Sequence, residues 1–154
     1  MEAKQRALVF LGDSITQSWG DDLKGAFGKT KVANRGISGD NTRGMLYRMP
    51  EDVLALNPTV VLLLMGTNDL EEGASPEEIV GNLKHIIKKL MCSSKEMPII
   101  FCNLFPSHES KSRSAEQIKK INALYAEVVK RDKQVTLMDT WSMFAIEDGN
   151  AKKS

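Results

Sequence analysis

Three short clusters in this chain bring together a hydroxyl, glycine backbone and an amide side chain. They are Gly12, Asp13, Ser14, Ile15 and Thr16; the run 35–42, with Gly36, Ser38, Gly39, Asp40 and Asn41; and Gly66, Thr67, Asn68 and Asp69. Together these groups are the equipment of acyl transfer. A serine hydroxyl attacks a carbonyl once a base takes its proton. The oxyanion that forms needs donors already aimed at it, and a closely approachable glycine N–H and an asparagine amide supply them. Losing one such donor lowers the rate by ~10²–10³. Singly, each cluster reads as less. Gly12-Asp13-Ser14 alone is a strand-to-helix turn with a capping residue. Gly36 and Gly39 alone are turn glycines, and Asn68 alone bonds its own loop. Asp13 and Asp69 read as braces of their loops, with Asp13 and Asp40 also kept as substrate-binding candidates.

The chain has two histidines to offer as a base. His85 lies in a helical pattern, and at about 100° per residue it points away from the apolar stripe, so it reads as solvent-facing. His108 follows the fourth apolar run, which puts it on the same rim as the three clusters. It is a candidate for contacting substrate or acting as a weak base, although a surface-loop histidine is the plainer reading. The two stand apart from any ligand cluster, which disfavours a metal site. No cofactor is expected. Neither G-x-G-x-x-G nor G-x-x-x-x-G-K-[ST] occurs and the first loop holds no Lys or Arg, which disfavours a nucleotide or phosphate binder.

The clusters matter because of what precedes them. Apolar runs stand at 7–11, 31–34, 59–65, 98–103 and 134–138. All but 31–34 lack the polar alternation of a half-exposed strand and read as strands buried on both faces. Between them lie helical patterns. Ser75, Pro76 and Glu78 form an N-cap, an N1 proline and a capping-box glutamate, followed by the stripe Ile79, Leu83, Ile86, Ile87 and Leu90. Ser114 and Gln117 open a second helix with Ile118, Ile121, Leu124, Tyr125, Val128 and Val129 on one face. Less regular helix is expected over 14–27 and 42–56, with Pro50 marking a break in the latter. Strands alternating with helices imply a parallel sheet with helices on both faces. Each cluster directly follows a strand, where open parallel sheets bind ligands.

With 154 residues the chain is one domain, spanning 1–154, able to bury roughly 70% of its unfolded surface. A net charge of +1 leaves no footprint for nucleic acid or an anionic membrane. No apolar run approaches a bilayer span, and no leader pattern opens the chain. Cys92 and Cys102 lack C-x-x-C spacing, which fits a reducing compartment, so the expected location is cytoplasmic, or secreted had a leader been removed.

Read together, G-D-S at 12–14, S-G-D at 38–40 and G-T-N-D at 66–69 resemble the first three sequence blocks of the SGNH (GDSL-type) hydrolase superfamily. The resemblance is strongest to its acetylhydrolase and carbohydrate-acetylesterase branches and covers about residues 7–148. It implies a flavodoxin-like three-layer α/β/α fold around a five-stranded parallel sheet. It further implies a small acyl-ester substrate, an acetylated carbohydrate or similar polar carrier, with lysophospholipase or thioesterase specificity as an alternative. Ser14 would be the nucleophile, and its own N–H, the Gly39 N–H and the Asn68 amide would hold the oxyanion. The family's base is a histidine in a D-x-x-H block, and no D-x-x-H occurs here. Residues 139–153 resemble the stretch that leads into that block. The expectation is a domain truncated before its Asp-His pair and its last helix, and so catalytically crippled. A triad lacking one member keeps ~10³–10⁴ over water through its oxyanion hole. A sheet face lacking that helix would expose apolar surface and favour a homodimer. A non-catalytic module that binds acylated sugar is the rival reading.

Overall fold

Alternating apolar runs and capped helices fold, in a computed structural model describing residues 7–147 and 149–151, into five parallel strands separated by helices. The strands are β1 (Leu8–Gly12), β2 (Val32–Gly36), β3 (Val60–Leu64), β4 (Ile99–Cys102) and β5 (Val135–Met138). Their order across the sheet is β2-β1-β3-β4-β5. Leu8 of β1 pairs with Val32 on one side and Val60 on the other, and Ile99 of β4 pairs with Val61 and Val135. The helices are α1 (Ser14–Gln17), α2 (Thr42–Asp52), α3 (Thr67–Glu71), α4 (Pro76–Ser93), α5 (Ala115–Val129) and α6 (Thr140–Phe144).

The two long helices start where their sequences say. Ser75 accepts from the Glu78 N–H while the Glu78 carboxylate accepts from the Ser75 N–H, and Ser114 and Gln117 repeat the arrangement on α5. One core joins the strands to α2, α4 and α5. It is built from alternate strand residues (Val9, Leu11, Val61, Leu63, Ile99, Phe101) with Met45, Met49, Ile79, Leu83, Ile118 and Ile121. The alternate set points to the other face of the sheet. There Phe10 meets Trp19 edge-on at 6.3 Å and Phe27 at 5.5 Å, while Leu62 and Ile100 stay half-buried.

Three expectations need correction. The irregular stretch 14–27 is one four-residue helix, then turns and a 3-10 turn at Leu23–Gly25, because Gly20, Gly25 and Gly28 take positive φ and stop the helix from propagating. Pro50 does not itself end α2, which runs on to Asp52; the chain leaves the helix through a 3-10 turn at Leu54–Leu56 and a left-handed Asn57. The run 134–138 is not buried on both faces: β5 is a sheet edge where Val135 is buried while Thr136, Leu137 and Met138 are exposed. After β5 comes α6, one short helix that the sequence reading did not anticipate, capped by Asp139. Of the polar run 151–154, only Ala151 is among the described residues.

Candidate active site

Sheet order explains why three clusters far apart in sequence become neighbours. The chain builds β1 first, adds β2 on one side and then crosses to add β3 on the other, so the loops after β1, β2 and β3 emerge side by side. Gly12 and Gly36 let these loops close up. A Cβ on Gly36 would stand 2.2 Å from the Gln17 nitrogen, and one on Gly12 would stand 2.1 Å from Thr16 Oγ1. Ser14 opens α1 and is exposed, while Asp13 beneath it is 1% exposed. Asp13 Oδ1 accepts from the Ile15 N–H at 2.9 Å, and its Oδ2 is buried without a partner among the described residues. Burial pushes the Asp13 carboxyl above its ordinary value.

The second loop folds over the first. The Ile37 N–H donates to Gly12 O at 3.1 Å and the Ser38 N–H to Gln17 Oε1 at 2.8 Å. Gly39 sits at φ +80°, a conformation that strains any other residue. The third loop then ties to the second. Asn68 Nδ2 donates one hydrogen to Asp40 O at 2.8 Å, next to Gly39, which leaves its other N–H for a ligand. Asp69 is buried and accepts from both the N–H (3.0 Å) and the hydroxyl (2.6 Å) of Thr42, whose hydroxyl accepts in turn from Asn82 Nδ2. Burial raises the Asp69 carboxyl against the pull of those Thr42 bonds.

Residues 10–154 match the GDSL-like Lipase/Acylhydrolase family. The chain belongs to that family. It is 29% identical over 149 residues to the human platelet-activating factor acetylhydrolase IB subunit alpha2, covering 95% of this chain and 64% of that protein. The chain therefore spans under two-thirds of the length of that curated relative. It is 24% identical over 144 residues to esterase TesA of Pseudomonas aeruginosa, covering 86% of this chain and 69% of TesA. In fold it resembles a Streptococcus pneumonia protein of solved structure with a TM-score of 0.89, at 24% identity, over 99% of this chain and 74% of that one. The three-layer fold with an all-parallel five-stranded sheet is thus the GDSL-like one. No helix of the described residues is long and apolar enough to cross a membrane.

Two arginines of this GDSL-like chain do work that its motifs do not announce. Arg48, on α2, donates from Nε to Asp40 Oδ2 at 2.7 Å, from Nη1 to Asp52 Oδ2 at 2.9 Å, and from Nη2 to the carbonyls of Arg35 (2.8 Å) and Gly12 (3.2 Å). It clamps the ends of β1 and β2 to the turn that carries Gly39. Asp40 is held by this clamp and by the Asn41 N–H, so both its carboxylate oxygens are engaged within the fold. Arg113 pairs with Glu71 at 2.7 Å and donates to Ser107 Oγ at 3.2 Å. It lines a small cavity with Ile15, Thr67 and Phe105 at the edge of the serine loop. Only the four-residue spacing of Arg48 and Asp52 on one helix hinted at the first clamp; nothing local marks the second.

The other half of the rim is built differently. His108 is exposed, and its Nδ1 lies 2.9 Å from Ser110 Oγ and 3.2 Å from the Ser110 nitrogen. Past β5, Asp139 accepts from Asn103 Nδ2 (3.0 Å) and from the N–H and hydroxyl of Ser142, which hold its carboxyl below the ordinary range. Asn103 Oδ1 accepts from the Trp141 N–H and the Thr140 hydroxyl, and that hydroxyl also bonds the Asn103 carbonyl. The segment that resembles the lead-in to the family's Asp-His block is thereby pinned at the carboxyl-terminal end of the strands, the end that also carries Ser14. Among the described residues no group of three His, Cys, Asp or Glu stands ready to hold a metal ion.

Proposed function

We propose that this GDSL-like chain carries the nucleophile and oxyanion hole of a serine carboxylic-ester hydrolase. Ser14 Oγ attacks the acyl carbonyl carbon, and the carbonyl oxygen, now an anion, accepts from the N–H groups of Ser14 and Gly39 and from Asn68 Nδ2. The C–O bond to the alcohol breaks to leave an acyl-Ser14 ester, which water hydrolyses with no cofactor. The observation that carries this reading is the Asn68–Asp40 hydrogen bond, which joins the amide of the third loop to the backbone beside Gly39. Preset donors of this kind stabilise charge because they need not reorganise as it develops.

The substrate we assign is a short acyl ester on a polar carrier, an acetylated carbohydrate being the favoured case. Family membership and the acetylhydrolase name of a 29% identical relative support the acetyl group, the esterase name of a second supports the broader ester class, and the carbohydrate carrier rests on the resemblance of the sequence blocks. No D-x-x-H is present in these 154 residues, and the Nδ1 of His108 is engaged by its neighbour Ser110. The chain by itself is therefore crippled as a catalyst. The second reading is a module that holds an acylated sugar on the rim without turnover. Homodimer formation belongs to the proposal as well, supported by Leu137 and Met138 exposed on the edge strand; sedimentation at rising concentration tests it, and a persistent monomer removes it. A cytoplasmic location is supported by the free thiols of Cys92 and Cys102.

Hydrolysis of p-nitrophenyl acetate by the chain, against Ser14→Ala as background, tests the reading. The expected result is a small excess over the variant that grows when imidazole is added as an external base. Equal rates at every imidazole concentration, together with saturable binding of an acetylated sugar, would transfer the assignment to the binding module.

A further inference from the structure

A groove of about 590 Å³ lies between α4 and α5 and reaches the first residue of β5, at the end of the sheet opposite Ser14. Its floor is apolar, made of Ile87, Met91, Val128 and Val135. Its rim is cationic: Lys84, Lys88, Lys95 and Arg131, with Asp132 as the one carboxylate. Asp132 Oδ1 accepts from the Gln134 N–H at 3.0 Å, and the rim carries four cations against this one carboxylate. Lys84, Lys88 and Lys95 form no ion pair or hydrogen bond among the described residues, whereas Lys130, just outside, pairs with Glu127 at 2.7 Å.

Ordinary reasons for cations here do not account for the whole rim. Lysines and arginines near a helix C-terminus complement its dipole, which accounts for Lys95 and Arg131, two residues beyond α4 and α5, but not for Lys84 and Lys88, which stand within α4 before its last turn. Solvated lysines on a helix face are common, yet these frame an apolar floor on one side while their own carbon stems extend it. Small-molecule sites occupy about 300–1,000 Å³ and combine an apolar lining with a few charged groups, and this groove meets both conditions. A protein partner would need roughly 800 Å² of surface on each side, well beyond a cleft between two helices.

We propose that the groove is a binding site for a single-chain anionic amphiphile, a fatty-acid carboxylate in the first instance. The alkyl chain lies on Ile87, Met91, Val128 and Val135, and the head meets the lysine rim. Dispersion and burial of the chain supply the affinity, and the unpaired cations select the sign of the head.

Cys92 provides a local reading of occupancy, because it lines the groove and its thiol is exposed, while Cys102 is buried with its thiol pushed up to about 11. Alkylation of each cysteine by iodoacetamide is followed by mass spectrometry. Dodecanoate at about ten times its Kd, below its micelle concentration, is expected to slow Cys92 by about tenfold and leave Cys102 unmodified. Dodecyltrimethylammonium, with the same chain and the opposite charge, is expected to leave Cys92 unprotected, and the double variant Lys84→Glu, Lys88→Glu to lose the dodecanoate effect. Dodecyl phosphate separates the sources of the charge: protection equal to dodecanoate means any anionic head serves, and weaker protection means the carboxylate is preferred. No protection by dodecanoate, equal protection by the cationic amphiphile, undiminished protection in the double variant, or modification of Cys102 in the presence of dodecanoate would each overturn the assignment.

Discussion

The two halves of the rim are held in different ways. Around β2, β1 and β3 the loops are sewn to one another. Arg48 reaches Gly12, Arg35, Asp40 and Asp52, Asp69 reaches Thr42, and Asn68 reaches Asp40, all through side chains that are at most half-exposed. Around β4 and β5 there are long-range ties as well, Asn103 to Asp139, Thr140 and Trp141 and Arg113 to Glu71, but the bonds of His108 to Ser110 and of Asp139 to Ser142 are short in sequence and exposed. The carboxyls record the difference. Burial raises Asp13 and Asp69 in the first half, and hydrogen bonds lower Asp139 in the second. Donors for an oxyanion must be rigid before the reaction, whereas a proton-transferring group has to meet the substrate at an open edge. The same division of labour separates a preorganised wall from an approachable one.

The sharpest way to break this contrast is Asp69→Ala. It leaves the Thr42 N–H and the hydrogen of the Thr42 hydroxyl without an acceptor in a buried place and is expected to cost roughly 2–4 kcal/mol in urea unfolding at constant m-value. A loss below about 1 kcal/mol would mean that Asp69 does not hold the two loops together. Next comes Arg48→Ala, which frees two carboxylates and two carbonyls from a mostly buried cation. It should destabilise by roughly 1–3 kcal/mol and slow acylation of Ser14 beyond what the lost stability explains, while Arg48→Lys, which restores the charge without the carbonyl contacts, recovers stability more than rate.

pH resolves the halves without any large perturbation. Asp13 is raised in the folded state above its ordinary 3.8, so the native protein binds that proton more readily than the unfolded chain does. Stability from this group is present at low pH and falls as pH rises through the raised value. Asp139 is lowered, so its contribution is present above the ordinary value and lost as pH falls through the lowered one. Unfolding of Asp13→Asn and Asp139→Asn across pH 2 to 7 should then give stability differences from wild type of opposite slope; two slopes of the same sign would erase the contrast. The smallest effect is expected from His108→Ala, within about 0.5 kcal/mol in stability and with Ser14-dependent hydrolysis unchanged. A clear fall in hydrolysis would make His108 a working base.

Legibility in the sequence follows the same division. The three clusters stand directly after strands, as the alternation of apolar runs and helices implies, while the choice of Ser14, Gly39 and Asn68 within them came from the family resemblance and their roles belong to the proposed function. The capping boxes at Ser75 and Ser114 signal helix starts because the contacts lie within one turn. Arg48 was invisible for the converse reason: its meaning lies in Gly12 and Arg35, 36 and 13 residues away, which only the sheet order brings near. Asp69 and Thr42 are likewise 27 residues apart. The run 134–138 misled because an apolar strand looks the same in sequence at a sheet edge as in a sheet centre, and what covers it is decided elsewhere. The stretch 14–27 misled because its glycines were weighed less than its apolar spacing.

The most direct measurement is mass spectrometry of the chain after exposure to p-nitrophenyl acetate, with the acetylated residue located by fragmentation. An oxyanion wall around Ser14 is expected to place the acetyl group on Ser14, to lose it entirely in Ser14→Ala, and to slow its appearance by about 10²–10³ in Asn68→Ala. Acetylation confined to surface lysines, or labelling of Ser14 at the same rate with and without the Asn68 amide, would contradict it.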